Sequence, residues 1–199
     1  MTLLGLDFDN TLVRYDNLFH QLALEKGLIS QSVPPNKTLI RNHLRLLGKE
    51  KEFTLLQGEV YGCRILEASA TSGLYNALKE LKTKSVPMVI ISHKTQKPYT
   101  GPAHDLHKSA LGWLEKNNFF STDGLNFSDN QVYFEPTKEK KISRIIDLGV
   151  THYVDDLPEI LEMIPSSISK YLFDPFRLHS ECNLSSFHKW ESFIELFEK

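Results

Sequence analysis

The strongest constraint on this sequence is that it has two places where a short apolar run ends in closely spaced acids. Leu3 to Leu6 runs into Asp7-Phe8-Asp9-Asn10-Thr11, and Thr151-His152-Tyr153-Val154 runs into Asp155-Asp156. Apolar runs of this length, bounded by polar residues, read as buried strands. Their carboxylates then lie where strands open into loops, the edge at which open α/β sheets hold ligands. Asp7 and Asp9 are one strand repeat apart, so both side chains leave the same face if the extended backbone persists through Phe8. Like charges that close call for a raised pKa, a nearby lysine or a bound cation. Asn10 and Thr11 also have an ordinary reading, as turn and helix-cap residues.

The rest of the chain alternates strand and helix signals. Val86 to Ser92 is a second buried strand, Gln131 to Phe134 a third, the Asp155-Asp156 run a fourth and Ser169 to Phe173 a fifth. Leu74, Ala77, Leu78 and Leu81 have helical spacing ahead of the second strand, and an amphipathic helix is expected from Ala103 to Asn117 after the polar loop His93 to Pro102. Pro136-Thr137 opens another helix, with Ile142, Ile145, Ile146 and Leu148 toward the core and Gly149 closing it. Phe187 to Phe197 reads as a closing helix. This order implies an α/β fold, a Rossmann-like, mostly parallel sheet with helices on both faces. Residues 16–69 interrupt it. Their segments Leu18 to Lys26, Lys37 to Leu47 and Phe53 to Leu66 carry helical spacing broken by Gly27, Pro34-Pro35 and Gly48, which predicts a small α-helical cap inserted in a core of residues 1–15 and 70–199.

Composition narrows the partners. A chain of 199 residues is long enough for one domain with a sizeable insertion, and a formal charge of −2 with mixed signs gives no basic stripe for nucleic acid. A small anionic substrate held locally fits better. Cys63 and Cys182 stand apart from each other with no Cys-x-x-Cys spacing, and the amino terminus is unlike a signal peptide, so the expected setting is reducing and cytoplasmic. No apolar run is long enough to span a membrane.

The acids suggest one hard-metal site. Oxygen-only ligands suit Mg²⁺, which takes one or two carboxylates and leaves its other positions to water and phosphate. Asp7 is the candidate nucleophile, because an ionised carboxylate can attack phosphorus and form an aspartyl-phosphate without an adjacent base. Asp9 is the candidate general acid for the leaving oxygen and then the base for water; its alternative is a turn cap. Ser92, at the end of the second strand, has a hydroxyl to offer phosphate oxygens and is otherwise a turn residue. Two lysines of the Thr137 helix, Lys138 and Lys141, lie over core positions and lean toward the strand ends, whereas Lys140 aligns with Arg144 and Asp147 on a polar face. An inner lysine would stabilise both the nucleophile and the phosphoryl group in transfer. His93, Lys94 and Thr95 lie beside Ser92 and have two readings, as substrate contacts and as ordinary loop polarity. His104 and His107 flank Asp105 near a helix start and read as surface residues.

Taken in chain order, these groups resemble the four motifs of the haloacid dehalogenase-like (HAD) superfamily of hydrolases. Asp7-Phe8-Asp9-Asn10-Thr11 is similar to the first motif, Ser92 to the second, Lys141 or Lys138 to the third and Asp155-Asp156 to the fourth, so the resemblance runs from Leu3 to about Phe173. It implies a Rossmann-like core with a cap after the first motif, and Mg²⁺ held by the Asp7 side chain, the Asp9 backbone carbonyl and a fourth-motif aspartate. Spacing to Asp155 favours Lys141 for the third motif. Asp155 is the expected direct ligand and Asp156 a ligand or an orienting neighbour, with Glu159 in the first turn of a helix capped by Asp156. The family's dehalogenases lack the second aspartate of the first motif, so Asp9 places the resemblance on the phosphatase branch.

The expected function is therefore a Mg²⁺-dependent phosphatase that hydrolyses a phosphomonoester of a small metabolite through phospho-Asp7, with substrate choice made largely in the cap. Two alternatives stand beside it: a non-catalytic module binding a phosphorylated ligand or a protein partner, and a phosphotransferase using the same intermediate. A response-regulator receiver shares the chemistry but keeps its acceptor aspartate on a middle strand and has no counterpart to residues 16–69.

Overall fold

In the computed structural model, which describes residues 2–179 and 181–198, the opening apolar run forms a fully buried strand, Leu4–Leu6 (β1). Next come Val13–Arg14 (β2) and the helices Asp16–Glu25 (α1), Lys37–Leu46 (α2) and Glu50–Tyr61 (α3), then Ser69–Ala70 (β3), Leu74–Thr83 (α4), Met88–His93 (β4) and Leu106–Lys116 (α5). Val132–Glu135 (β5), Lys138–Asp147 (α6), His152–Asp155 (β6), Pro158–Met163 (α7), Ser169–Phe173 (β7), Ser185–Phe187 (β8) and Trp190–Phe197 (α8) complete the order. Six strands form one sheet in the order β5-β4-β1-β6-β7-β8, and every pairing in it is parallel. The architecture is the α/β, Rossmann-like one expected from the alternation of apolar runs and helical spacing.

The chain divides into two compact units. One holds 1–13, 70–94 and 118–199, and the other holds 14–69 and 95–117. The sheet lies in the first. Sequence moves outward from β1 through β4 to β5, then returns to β6 on the other side, so β1 and β6 flank the point where strand order reverses. Ligand crevices form at such points, outside the carboxyl ends of the strands.

On one face of the sheet, Val89, Ile91, Tyr153 and Leu172 pack with Ile142 and Ile145 of α6 and Ile160 and Leu161 of α7. Ile146, expected in this core, is 49 % exposed. It lies about 100° around the helix from Ile145, on the solvent side, while Lys141, four residues before Ile145, is only about 40° around from it and is carried inward. Phe187, expected to begin the last helix, instead pairs with Phe173 in the edge strand β8, and α8 starts at Trp190.

In the second unit, Phe19 stacks on Phe53 at 5.6 Å and Tyr15 meets Tyr61 edge-on at 4.8 Å. Asn36 caps α2 by accepting from the Leu39 amide, and a left-handed Gly27 follows α1. The segment 95–117, assigned to the core from sequence, belongs here. Trp113 is fully buried and donates its indole N–H to the Ala68 carbonyl at 2.9 Å, and a Cβ on Gly62 would come within 2.8 Å of His104. An amphipathic spacing shows that a helix will be half buried but not which unit receives its apolar stripe.

Gly5 shows how closely β1 and β6 pack. A Cβ there would lie 2.6 Å from the Tyr153 ring and 3.1 Å from Val150. Gly5→Ala is expected to destabilise the protein by roughly 1–3 kcal/mol, the usual range for overpacking a closed core. The midpoint of urea unfolding should fall accordingly; an unchanged midpoint would mean that the Tyr153 ring has room to move.

Candidate active site

Strand parity places the central carboxylates on one face. Gly5 on β1 and Asp7, one residue past its end, share parity with Tyr153 and Asp155 on β6, and Leu6 pairs with Val154, so the two aspartates emerge side by side at the carboxyl ends of adjacent strands. The Asp7 amide continues the ladder by donating to the Val154 carbonyl at 2.9 Å. Asp7 and Asp155 are buried, the second completely.

Helix α6 lies on that face and sends Lys141 between them. Its Nζ donates to Asp7 Oδ1 and Asp155 Oδ2, each at 2.6 Å, and its side chain is 2 % exposed. The ammonium also lies 5.6 Å from the centre of the Tyr153 ring, close enough for a cation–π contact. Thr137 caps α6 by accepting from the Lys140 amide, which sets the first turn of the helix at the strand ends. Lys138 does not join the site. It begins the helix one turn earlier, beyond the end of the sheet, and pairs with Glu159 at 2.6 Å. Glu159 therefore serves as the partner of an exposed lysine in a helix whose cap position is Leu157, not Asp156.

Ser92 donates its hydroxyl to Asp7 Oδ1 at 2.9 Å. Ser92 and Lys141 thus share one oxygen of Asp7, and Oδ2 takes neither bond. Asp155 Oδ1 accepts from the Leu157 amide at 3.0 Å. Carboxylate oxygens of Asp7, Asp155 and Asp156 lie within 4.8 Å of one another. Among the described residues this is the group of acids, histidines and cysteines that can converge on one ion, and His104 and His107 are not part of it. An all-oxygen donor set of this spacing suits a hard cation.

Asp9 is placed differently from the simple expectation. Its carboxylate is held by Lys94, whose Nζ donates to Oδ1 at 2.9 Å and Oδ2 at 2.8 Å. Asn10, immediately after it, has a left-handed backbone with φ of 59°, so the chain turns sharply at this point. Behind the loop, Thr71 donates its hydroxyl to the Thr11 carbonyl at 2.9 Å and accepts from the Trp190 indole N–H at 2.8 Å. Sequence reasoning did not single out Lys94 beyond its place beside Ser92, and it missed Tyr153, Thr71 and Trp190. For Lys94 the available signal was its position two residues past a strand-end serine. Nothing local marks Thr71 or Trp190, because their partners are remote in sequence.

One ammonium serves two buried carboxylates, and the electrostatics follow from that. Burial pushes the Asp155 carboxyl up to about 7; Lys141 pulls it down and Asp7 adds to the rise. Burial works against the charge on Lys141, but Asp155 and Asp7 outweigh it and hold the ammonium well above its ordinary range.

The comparisons with known proteins agree with this architecture. Among solved structures, a HAD family hydrolase from Deinococcus radiodurans, determined with bound phosphate and sodium, superposes with a TM-score of 0.60 at 13 % identity, covering 100 % of this chain and 96 % of that one. A HAD-superfamily hydrolase from Ehrlichia chaffeensis gives 0.53 at 17 % identity over 98 % and 97 % of the two chains. A dehalogenase solved as an intermediate complex gives 0.59 at 13 % identity over 98 % and 96 %. No protein-family profile matches the sequence, and no curated protein matches it. The chain has the fold of the haloacid dehalogenase-like hydrolases.

Two outcomes are expected. Lys141→Met leaves Asp7 and Asp155 facing each other without a cation, so it should lower stability by about 3–5 kcal/mol at neutral pH, and by less in acid, where Asp155 can protonate; Lys138→Met should change the denaturation midpoint little. Without a cation, the folded state retains a proton on Asp155 from about pH 4 to about 7 that the unfolded chain releases, so the contribution of Asp155 to stability declines as pH rises through that window. A divalent cation must displace this proton. Its affinity, read from the rise in melting temperature on adding MgCl₂, should strengthen roughly tenfold between pH 6 and pH 8, and Asp155→Asn should abolish the gain.

Proposed function

We propose that this chain is a HAD-like phosphatase, hydrolysing phosphomonoesters of small metabolites through an aspartyl-phosphate on Asp7 with Mg²⁺ as cofactor. The observation that carries the reading is the convergence of Lys141, Ser92, Asp155 and Asp156 on Asp7 at the ends of β1 and β6. A buried carboxylate held by two donors on one oxygen has its second oxygen available for attack, and the ammonium beside it offsets charge on an incoming phosphoryl group. The phosphate bound by the Deinococcus radiodurans hydrolase supports the same ligand chemistry here.

In the first half-reaction an Asp7 oxygen bonds to phosphorus as the ester P–O bond breaks, and the departing alkoxide takes a proton from Asp9. In the second, water attacks the phosphorus of the aspartyl-phosphate, its proton passes to Asp9, and the Asp7 carboxylate and inorganic phosphate are released. Lys141 orients Asp7 through a hydrogen bond to Oδ1, and Ser92 fixes its rotamer. Asp7, Asp155 and Asp156 would hold the Mg²⁺, with the Asp9 carbonyl as a further oxygen ligand. The ion supplies charge neutralisation to the phosphoryl oxygens. The helical unit, residues 14–69 and 95–117, is the place for substrate discrimination. Oxygen-only ligands and the lack of a basic stripe favour a small phosphorylated substrate over a polyanion.

A panel of phosphorylated metabolites and 4-nitrophenyl phosphate, assayed with MgCl₂ and with EDTA, tests the reading. Turnover should require the metal. Asp7→Asn should lower kcat by roughly 10³-fold or more while leaving the fold intact, and Lys138→Ala should stay within about twofold of wild type. Wild-type turnover by Asp7→Asn would remove the nucleophile from this scheme. Metal-dependent binding of a phosphomonoester with no hydrolysis would favour a binding module.

A further inference from the structure

The buried lysine at the end of β4 has no part in the scheme above, yet its surroundings give it one. Lys94 is 4 % exposed, and its amide donates to the Glu135 carbonyl at 2.8 Å, which extends the β4–β5 ladder by one residue and fixes the base of the side chain on the sheet. The ammonium lies 5.4 Å from the centre of the Phe8 ring and bonds both oxygens of Asp9. Across this ion pair burial is lopsided, 2 % exposure for the lysine side chain against 22 % for the aspartate. Lys94 stands beneath Asp9, and the Asp9 carboxylate forms the end of the pair that faces outward.

From this geometry we infer that Lys94 is a positioning residue that holds the Asp9 carboxylate in place for proton transfer to the leaving oxygen. The inference rests on the phosphatase reading and deepens it. A carboxylate on a two-bond side chain, following a buried phenylalanine and preceding a left-handed Asn10, has more than one rotamer open to it. Two hydrogen bonds from a fixed ammonium select one. Each time Asp9 gives up its proton, the same ammonium offsets the charge that remains, with no rearrangement of solvent. Lys94 itself stays below the carboxylate and out of contact with the phosphoryl group, which distinguishes its role from that of Lys141.

Leaving-group dependence separates this role from a structural one. 4-Nitrophenolate departs with little need of a proton, whereas the alkoxide of glycerol phosphate requires one. Lys94→Met should lower kcat on glycerol phosphate roughly 10²-fold, within the usual range for general acid catalysis, and lower kcat on 4-nitrophenyl phosphate less than about tenfold, with KM for both little changed. Asp9→Asn should show the same split. The double variant Asp9→Asn with Lys94→Met, which leaves no unpaired charge and guards against misfolding, should match Asp9→Asn alone within about twofold, because the two residues act as one unit. Equal losses on both esters, or a double variant far below Asp9→Asn, would make Lys94 a direct phosphate ligand or a structural residue and overturn the inference while leaving the phosphatase reading standing. A wild-type protein inactive on both esters would overturn the phosphatase reading and this role with it.

Discussion

One ammonium group between two strand-end carboxylates is the interaction on which the candidate site depends. Asp7 and Asp155 are brought together by the parallel pairing of β1 and β6, and that pairing is itself a consequence of uninterrupted apolar runs. Without a cation the two acids would repel across a low-dielectric interior, and one would have to stay protonated. Lys141 resolves this only in part, because one positive charge faces two negative ones. Burial, with Asp7 adding to it, still raises the Asp155 carboxyl against the pull of Lys141, and a second cation at this point would favour its ionised form.

The position of Lys141 is determined by packing as much as by charge. Its Cα lies on the arc of α6 that includes Ile145, so the apolar contacts that seat the helix also drive the lysine into the interior. Tyr153 forms the floor beneath it, and the absence of a side chain at Gly5 makes room for that floor. On the other side of β1, Thr71 and Trp190 tie the carbonyl of Thr11 to the closing helix α8. The first loop is thus held from both ends of the sequence, an arrangement suited to a group that must keep its geometry through a reaction cycle.

The sheet was legible in the sequence because its central strands are short, apolar and sharply bounded, as at Leu4–Leu6 and Met88–His93. The convergence of Asp7, Asp155 and Asp156 was legible for the same reason, since strand ends are where such a sheet gathers polar groups. What periodicity failed to resolve was partner choice. The spacing of Leu106, Ala110 and Trp113 predicts an apolar stripe, and only the long-range bond from Trp113 to Ala68 assigns that stripe to the helical unit. Likewise Lys138 and Lys141 lie on nearly the same helical face. They differ in axial position, which sets one against exposed Glu159 and the other between two buried acids. The edge strand Ser185–Phe187 was hidden because a three-residue strand has too few alternations to stand apart from the helix that follows it.

The two buried lysines divide the acids of the site between them, and that division bears on the chemistry. Lys141 serves Asp7 and Asp155; Lys94 serves Asp9; Asp156 is partly exposed at the margin. With every acid ionised, four carboxylates against two ammonium groups leave a double negative charge, which one divalent cation would neutralise before an anionic substrate arrives. Displacement at a carbon–halogen bond releases a halide that needs no proton, so an acid held for the leaving group two residues from the proposed nucleophile would have no task in that first step. An oxygen leaving group does need that proton. Under the proposed function, a buried lysine that orients Asp9 suits the expulsion of an alkoxide, and this supports the phosphatase proposal over dehalogenation on a fold that accommodates both.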